Sequence, residues 1–150
     1  MPEHRTTNQA KAYLSKYRAL LLRYEELTEN IRTLETRATN TAARIKAVNV
    51  QPGSVHDNVG DVAVVVADAE NMLGDTMRDI ALEMKNILRV IDMIPDEMQK
   101  TILTKRYIGG KSWDVICGEI GYEKTKVFEM HGWALATVNR MLERRMAFTY

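Results

Sequence analysis

Two hydrophobic repeats with a period of seven residues organise the first two thirds of the chain. Between residues 13 and 48 one heptad position holds Tyr17, Tyr24, Ile31, Ala38 and Ile45, and another holds Tyr13, Leu20, Leu27, Leu34, Thr41 and Val48. No glycine or proline interrupts this stretch before Pro52. Heptad spacing sustained over this length predicts a long helix with a coiled-coil-like seam.

A second heptad repeat follows a turn signal. The segment 51–54 reads Gln-Pro-Gly-Ser, and we expect a loop from there to Gly60. Beyond it one heptad row holds Val66, Leu73, Ile80, Ile87 and Ile94, and the other holds Ala63, Met77, Met84 and Ile91. This repeat predicts a helix over residues 61–93. Two long helices joined by a short loop are expected to fold back as an antiparallel hairpin over residues 1–94.

The last third, residues 95–150, predicts a separate domain of shorter helices. Pro95 suits the first position of a helix, which the glycine pair Gly109–Gly110 would end. Ser112 is a suitable N-cap for a helix over residues 113–120. A final helix is expected over residues 123–145. The predicted fold class is therefore all-α, with a coiled-coil-like hairpin followed by a C-terminal helix-turn-helix domain.

The helix-turn-helix prediction depends on apolar spacing around a glycine. Two helices that cross steeply over a short turn need a small residue where they meet, and Cys117 occupies that position. Gly121 suits the turn because glycine adopts left-handed backbone angles without a Cβ penalty. The expected shared core consists of Ile116, Ile120, Tyr122, Val127 and Met130. The alternative is an ordinary helical hairpin with the same packing needs.

Charge is nearly balanced over the 150 residues but is unevenly distributed. The net charge is +1, made up of +4 in residues 1–50, −5 in residues 51–94 and +2 in residues 95–150. This weak overall charge counts against strong non-specific binding to DNA. The basic first helix and the acidic second helix are expected to attract each other, unless their charges simply face solvent. A two-helix hairpin leaves apolar surface uncovered, so we expect either a homodimer or packing of the C-terminal domain against it.

Several classes of function are not expected. No apolar run approaches the ~18 residues of a membrane span, and no hydrophobic signal region follows the N-terminus, which predicts a cytoplasmic protein without membrane contact. The single cysteine, Cys117, is read as a packing residue rather than a nucleophile. The three histidines give no ligand set, so no metal and no cofactor are expected. We find no catalytic motif and expect no enzyme.

Four segments resemble region 4 of bacterial sigma factors, and more closely resemble phage and prophage regulators of the autolysin-regulator (ArpU) type. They are Ile94–Glu97, Lys105–Trp113, Ile116–Tyr122 and Val127–Leu135. The resemblance implies a sigma-region-4-like domain joined to a helical N-terminal part. It also implies a phage-encoded regulator of late or lysis genes in the cytoplasm of a bacterial host, with host RNA polymerase as a further partner.

The chain departs from the family pattern at three places. Glu123 stands where the family usually has a Ser or Thr cap, Glu129 stands where it often has Arg, and Cys117-Gly118 replaces Ala-Glu. Residues 111–135 consequently carry three basic and four acidic side chains. Phosphate contacts normally supply much of the affinity for DNA. Either few phosphates are touched, or dimer avidity supplies affinity, or the domain binds protein instead.

If the domain binds double-stranded DNA, the start of the last helix faces the major groove. Lys124 is then expected to read guanine, Glu129 to accept from cytosine N4, and Phe128 to touch a thymine methyl, beside Thr125. Phosphate contacts are expected from Lys111, Ser112 and Lys126. The alternative for all seven residues is a solvated face.

The preferred hypothesis is a dimeric, sequence-specific DNA-binding transcriptional regulator. A second hypothesis is a sigma-like interaction protein that binds RNA polymerase or another phage protein without touching DNA. A third, weaker one is a small DNA-packaging subunit of the terminase type, because such subunits also join a helix-turn-helix to helical hairpins.

Overall fold

A computed structural model describes residues 3–48 and 55–147, and every regular element in these ranges is helical. The α-helices are α1 (Glu3–Val48), α2 (Val55–Asp92), α3 (Glu97–Leu103), α4 (Trp113–Ile120) and α5 (Lys124–Ala147). A π-helical turn, Thr104–Ile108, directly follows α3. The predicted all-α class is confirmed.

The chain forms two compact units. The first contains Met1–Ala19 together with Ile80–Tyr150, and the second contains Leu20–Asp79. The boundary suggested by the sequence after residue 94 lies inside the first unit, because the start of α1 and the end of α2 contribute to its core. Ala10 and Leu14 of α1 and Ile87 and Ile91 of α2 are buried in one cluster, which also includes residues of α3 and α5.

The second unit contains parts of both long helices, α1 and α2. Leu34 of α1 and Val62, Val65 and Val66 of α2 line one apolar groove of about 250 Å³. Ile31 is buried, but many other apolar side chains of this unit are exposed. The helices of this unit therefore leave much of their hydrophobic surface in contact with solvent.

The second helix begins earlier than the sequence predicts. It starts at Val55 rather than near residue 61, so the expected loop to Gly60 is wrong for residues 55–60. A lone glycine costs a helix only about 1 kcal/mol and does not end it. The row from Val66 to Ile94 does face inward, and its last three members are buried. In the other row Ala63 and Met77 are exposed.

The start of α3 corrects the role given to Pro95. The N-cap is Asp96, whose carboxylate accepts a hydrogen bond from the Gln99 backbone N–H at 2.8 Å. Pro95 lies before the cap, outside the helix. A side-chain oxygen at the N-cap satisfies one of the free N–H groups of the first turn, which proline at this place does not do.

The helix that the sequence predicts up to Gly109–Gly110 does not remain α-helical throughout, because it widens after α3 into the π-helical turn. The Gly109 N–H donates to the Thr104 carbonyl at 2.9 Å, closing the wider ring. Gly110 then adopts a left-handed φ of 63° and ends the segment. Tyr107 of this turn is buried. Such turns are frequent at functional sites because they reorient side chains within a helix.

Candidate nucleic-acid interface

The turn between α4 and α5 has the geometry that the sequence predicted. Gly121 is left-handed, with φ 73° and ψ 25°, and its N–H donates to the Cys117 carbonyl at 2.9 Å. At the other end of α4 the Ser112 hydroxyl accepts from the Val115 N–H at a long 3.4 Å. Three residues, 121–123, therefore connect α4 to α5, which begins at Lys124.

A small hydrophobic cluster holds these two helices together. Ile116 of α4 and Val127 and Met130 of α5 are buried with Ile102 of α3, and Cys117 and Ile120 pack partly buried against them. The prediction of Tyr122 as a core residue is wrong, since 45 % of its side chain is exposed. Tyr122 lies in the turn, outside the inward-facing stripe of either helix.

Six of the seven residues proposed for DNA contact are exposed, and Lys111 is half-buried. Lys111 and Ser112 precede α4, whereas the other five lie within the first six positions of α5. Exposed positions 124–126 and 128–129 surround the buried Val127, so this end of α5 presents a continuous outer surface. The cluster beneath it supplies a rigid support.

Two of the candidate lysines form ion pairs at this surface. Lys124 Nζ lies 2.9 Å from Asp114 Oδ1, and this hydrogen bond raises the pKa of the lysine above its ordinary value. Lys126 Nζ lies 3.0 Å from Glu129 Oε2, one turn along α5. The positive charge that the helix start would offer a phosphate is thus locally compensated.

Glu119 of α4 forms an ion pair with the third candidate lysine, Lys111. Lys111 Nζ lies 2.6 Å from one carboxylate oxygen, and Lys105 contacts the other. These two hydrogen bonds lower the pKa of Glu119. Exposed ion pairs contribute only about 0–1 kcal/mol, so a phosphate can displace any one of these carboxylates at small cost.

Phe128 has a partner within the domain. Its ring meets the Trp113 indole edge to face, with centroids 5.1 Å apart and an interplanar angle of 84°. The Arg106 guanidinium lies over the same indole, 4.7 Å from its centroid. Phe128 nevertheless remains 44 % exposed, so it is held in place while still presenting one side to a ligand.

His131 makes a hydrogen bond inside the domain. Its Nε2 lies 2.9 Å from the Tyr107 hydroxyl, and the ring is buried. Burial, with the positive charges of Lys11 and Arg106, lowers the pKa of His131 to about 4. Burial likewise raises the pKa of Tyr107 to about 12. Both groups are neutral at physiological pH, and the imidazole acts as a structural element.

No pattern in the sequence indicated that Lys105, Asp114 and Glu119 belong to this surface. Each belongs to an ion pair between residues 8 to 14 positions apart, namely Lys105–Glu119, Lys111–Glu119 and Lys124–Asp114. Pairs of this separation have no periodic signal along the chain. The only indication was the excess of acidic residues between positions 111 and 135.

Comparisons with protein-family profiles, with curated proteins and with solved structures found nothing that matches this chain. Among the helices of residues 3–48 and 55–147, none is both long enough and apolar enough to cross a bilayer.

Proposed function

We propose that this protein is a sequence-specific regulator of transcription that binds double-stranded DNA. The observation that carries the proposal is the exposed start of α5, supported from below by the buried Ile116–Val127 contact and reached through the left-handed Gly121. This arrangement is that of a recognition helix, whose first turns enter the major groove. The resemblance to sigma region 4 and to autolysin regulators supports the same function.

In this proposal the residues of α5 have separate roles. Lys124 and Glu129 read base edges, because Lys bonds guanine and a carboxylate accepts from cytosine N4. Thr125 and Phe128 lie between them and contact bases through a hydroxyl and an apolar edge. Lys126, with Lys111 and Ser112 before α4, contacts phosphates and fixes the register of the helix.

The ion pairs make non-specific binding weak. Lys111, Lys124 and Lys126 each contact a carboxylate, so binding must exchange a carboxylate for a phosphate or a base. The net gain in charge neutralisation at the DNA is small, and affinity is expected to fall less steeply with salt than for a basic domain. Discrimination between sequences then comes mainly from base contacts.

Self-association supplies the remaining affinity. The second unit leaves large apolar side chains exposed, namely Leu22, Leu34, Val48, Val62, Val64, Val65, Met72 and Met77. A second copy of the same surface would bury them and present two recognition helices together. We therefore expect a homodimer that reads palindromic half-sites separated by about one helical turn, or 10–10.5 base pairs, or a multiple of it.

The experiment is affinity capture of fragmented phage and bacterial DNA by the purified protein, followed by sequencing. The Lys124→Ala/Lys126→Ala variant is run in parallel, with Lys46→Ala/Lys85→Ala as the matched control, since both control lysines are exposed and lie outside α5. We expect a shared palindromic motif with the wild type and the control, and its loss in the first variant. Equal enrichment by all three proteins would refute the proposed groove contacts.

The compensated charges favour one further candidate function, a sigma-like protein that binds RNA polymerase or another phage protein. Two exposed aromatic residues, Phe128 and Trp133, are typical of protein interfaces. No DNA enrichment, together with stable co-purification of polymerase, would favour this candidate. A ring-sized solution mass would instead favour a DNA-packaging subunit of the terminase type.

A further inference from the structure

A cleft on the first unit lies next to the helix-turn-helix but does not include the exposed face of α5. It has a volume of about 460 Å³ and is formed by the start of α1, the π-helical turn, the beginning of α4 and the middle of α5. Its lining includes Lys11, Arg18, Arg106, Trp113 and His131. Clefts of about 300–1,000 Å³ are the usual size for small ligands.

Positive charge in this cleft is uncompensated. Lys11, Arg18 and Arg106 line it, whereas no carboxylate does so among the described residues. None of these three cations takes part in an ion pair within the described ranges, in contrast to the lysines of the proposed DNA face. Like charges that converge without a counter-charge favour an anion between them.

One of the cations, Arg106, is held in place by its contacts, and a second, Arg18, lies close to the backbone. A Cβ on Gly110 would come within 2.5 Å of the Arg18 guanidinium carbon, so the glycine lets this side chain lie against the backbone. Arg106 Nη1 donates to the Lys111 carbonyl at 2.9 Å and covers the Trp113 indole. Guanidinium groups whose positions are fixed before binding lose less entropy when they bind an oxyanion.

The positive charges of the cleft also act on the buried imidazole of His131. The charges of Lys11 and Arg106 act on His131 in the same direction as burial, and together they hold its pKa at about 4. An anion bound between the cations would offset their effect. The pKa of His131 therefore reports independently on whether the cleft is occupied.

We propose that this cleft binds a phosphoryl group through Arg18, Arg106 and Lys11. Guanidinium groups match the oxygen geometry of phosphate and bind it through paired hydrogen bonds, and a lysine adds a point charge. The phosphoryl group comes either from a free phosphate ester or from the backbone of nucleic acid. Binding at this site does not depend on base reading by α5, so it is tested separately from the proposed function.

The first test uses inorganic phosphate and the fluorescence of Trp113. The chain has two tryptophans, and Trp133→Phe leaves Trp113 as the single reporter beside the cleft. In this background phosphate is titrated against potassium chloride of equal ionic strength. We expect a saturable change with phosphate alone, and at least about tenfold weaker binding after Arg18→Gln, because a hydrogen bond to a charged group contributes about 1.5–3 kcal/mol.

Arg23→Gln is the matched control, since it removes the same charge from an exposed position of α1 that does not line the cleft. Circular dichroism establishes that both variants are folded. Phosphate affinity that is equal in Arg18→Gln and Arg23→Gln, or a response no larger than that to chloride, overturns the proposal. A second readout is the imidazole NMR titration of His131, whose pKa should rise with saturating phosphate and stay near 4 if the cleft binds none.

The two sources are then separated by competition. If inorganic phosphate displaces duplex DNA from the wild type but not from Arg18→Gln, the phosphoryl group that the cleft binds belongs to the nucleic-acid backbone. If phosphate binds equally well in the presence and absence of saturating DNA, the ligand of the cleft is a free phosphate ester. Both results depend on prior binding of phosphate in the cleft.

Discussion

The Tyr107 hydroxyl lies 2.9 Å from His131 Nε2, and this hydrogen bond joins the π-helical turn to α5. The two rings also stack, with centroids 5.9 Å apart and an interplanar angle of 18°. Trp113 of α4 meets the same imidazole edge to face at 4.7 Å. Three consecutive elements of the first unit therefore converge on one neutral histidine. Protonation of this buried histidine would place a positive charge where the three elements meet.

Stability should fall as the pH drops from about 6.5 to about 4. The unfolded chain binds a proton at His131 near its ordinary pKa of 6.5, whereas the folded pKa is about 4. The stability that the neutral His131 contributes is present above pH 6.5 and is lost as the pH falls through 4. The free energy of unfolding decreases by at most about 3.4 kcal/mol, or about 1.36 kcal/mol for each unit between the two pKa values. Urea unfolding at several pH values measures it. His131→Gln should flatten this dependence, and an identical slope in the variant would count against the assignment.

Removal of the Tyr107 hydroxyl should destabilise the protein. In Tyr107→Phe the buried imidazole loses its partner while the aromatic packing is retained. A buried polar group without a partner costs about 1–3 kcal/mol, and we expect a decrease of that size in the free energy of unfolding. Tyr122→Phe is the control, because Tyr122 is exposed. Equal stability of the two variants would mean that the hydrogen bond contributes nothing measurable.

The two glycines at positions 118 and 121 should respond oppositely to replacement by alanine. Gly121 has a left-handed φ of 73°, so Gly121→Ala should cost about 1–2 kcal/mol. Gly118 lies within α4, and a Cβ there meets nothing within 4 Å. Gly118→Ala should therefore stabilise the protein by about 0.5–1 kcal/mol. Thermal unfolding of the two variants distinguishes these effects by their opposite signs.

Removal of a carboxylate from the proposed DNA face should strengthen binding. Asp114→Asn frees Lys124 and removes a negative charge near the expected phosphates. We expect up to about fivefold tighter binding to the selected site, because an exposed pair contributes about 0–1 kcal/mol. Asp75→Asn is the control, since Asp75 forms a similar exposed pair with Arg78 in the second unit. Fluorescence anisotropy measures both, and weaker binding by Asp114→Asn would contradict the proposed role of Lys124.

Local patterns in the sequence determined the elements of this protein. The seven-residue spacing from Val66 to Ile94 predicted a helix and its buried face, since both follow from periodicity along one element. Gly121 and Ser112 predicted the limits of α4, because turn and cap preferences depend on the backbone of a few neighbouring residues. The same local reasoning misplaced the start of α2 and took Pro95 as the first residue of α3, where several nearby residues offered competing signals.

Only the tertiary structure decided which side chains meet. Lys11 and Arg18 lie about ninety positions before Arg106 in the sequence and nevertheless line the same cleft. The partners of Lys111 and Lys124 are likewise determined by how α4 and α5 cross. Such contacts depend on the packing of whole elements around the shared cores, and no periodicity of the chain encodes them. The sequence alone determined the helices, whereas packing determined which charges pair on the proposed DNA face and which cations line the cleft beside it.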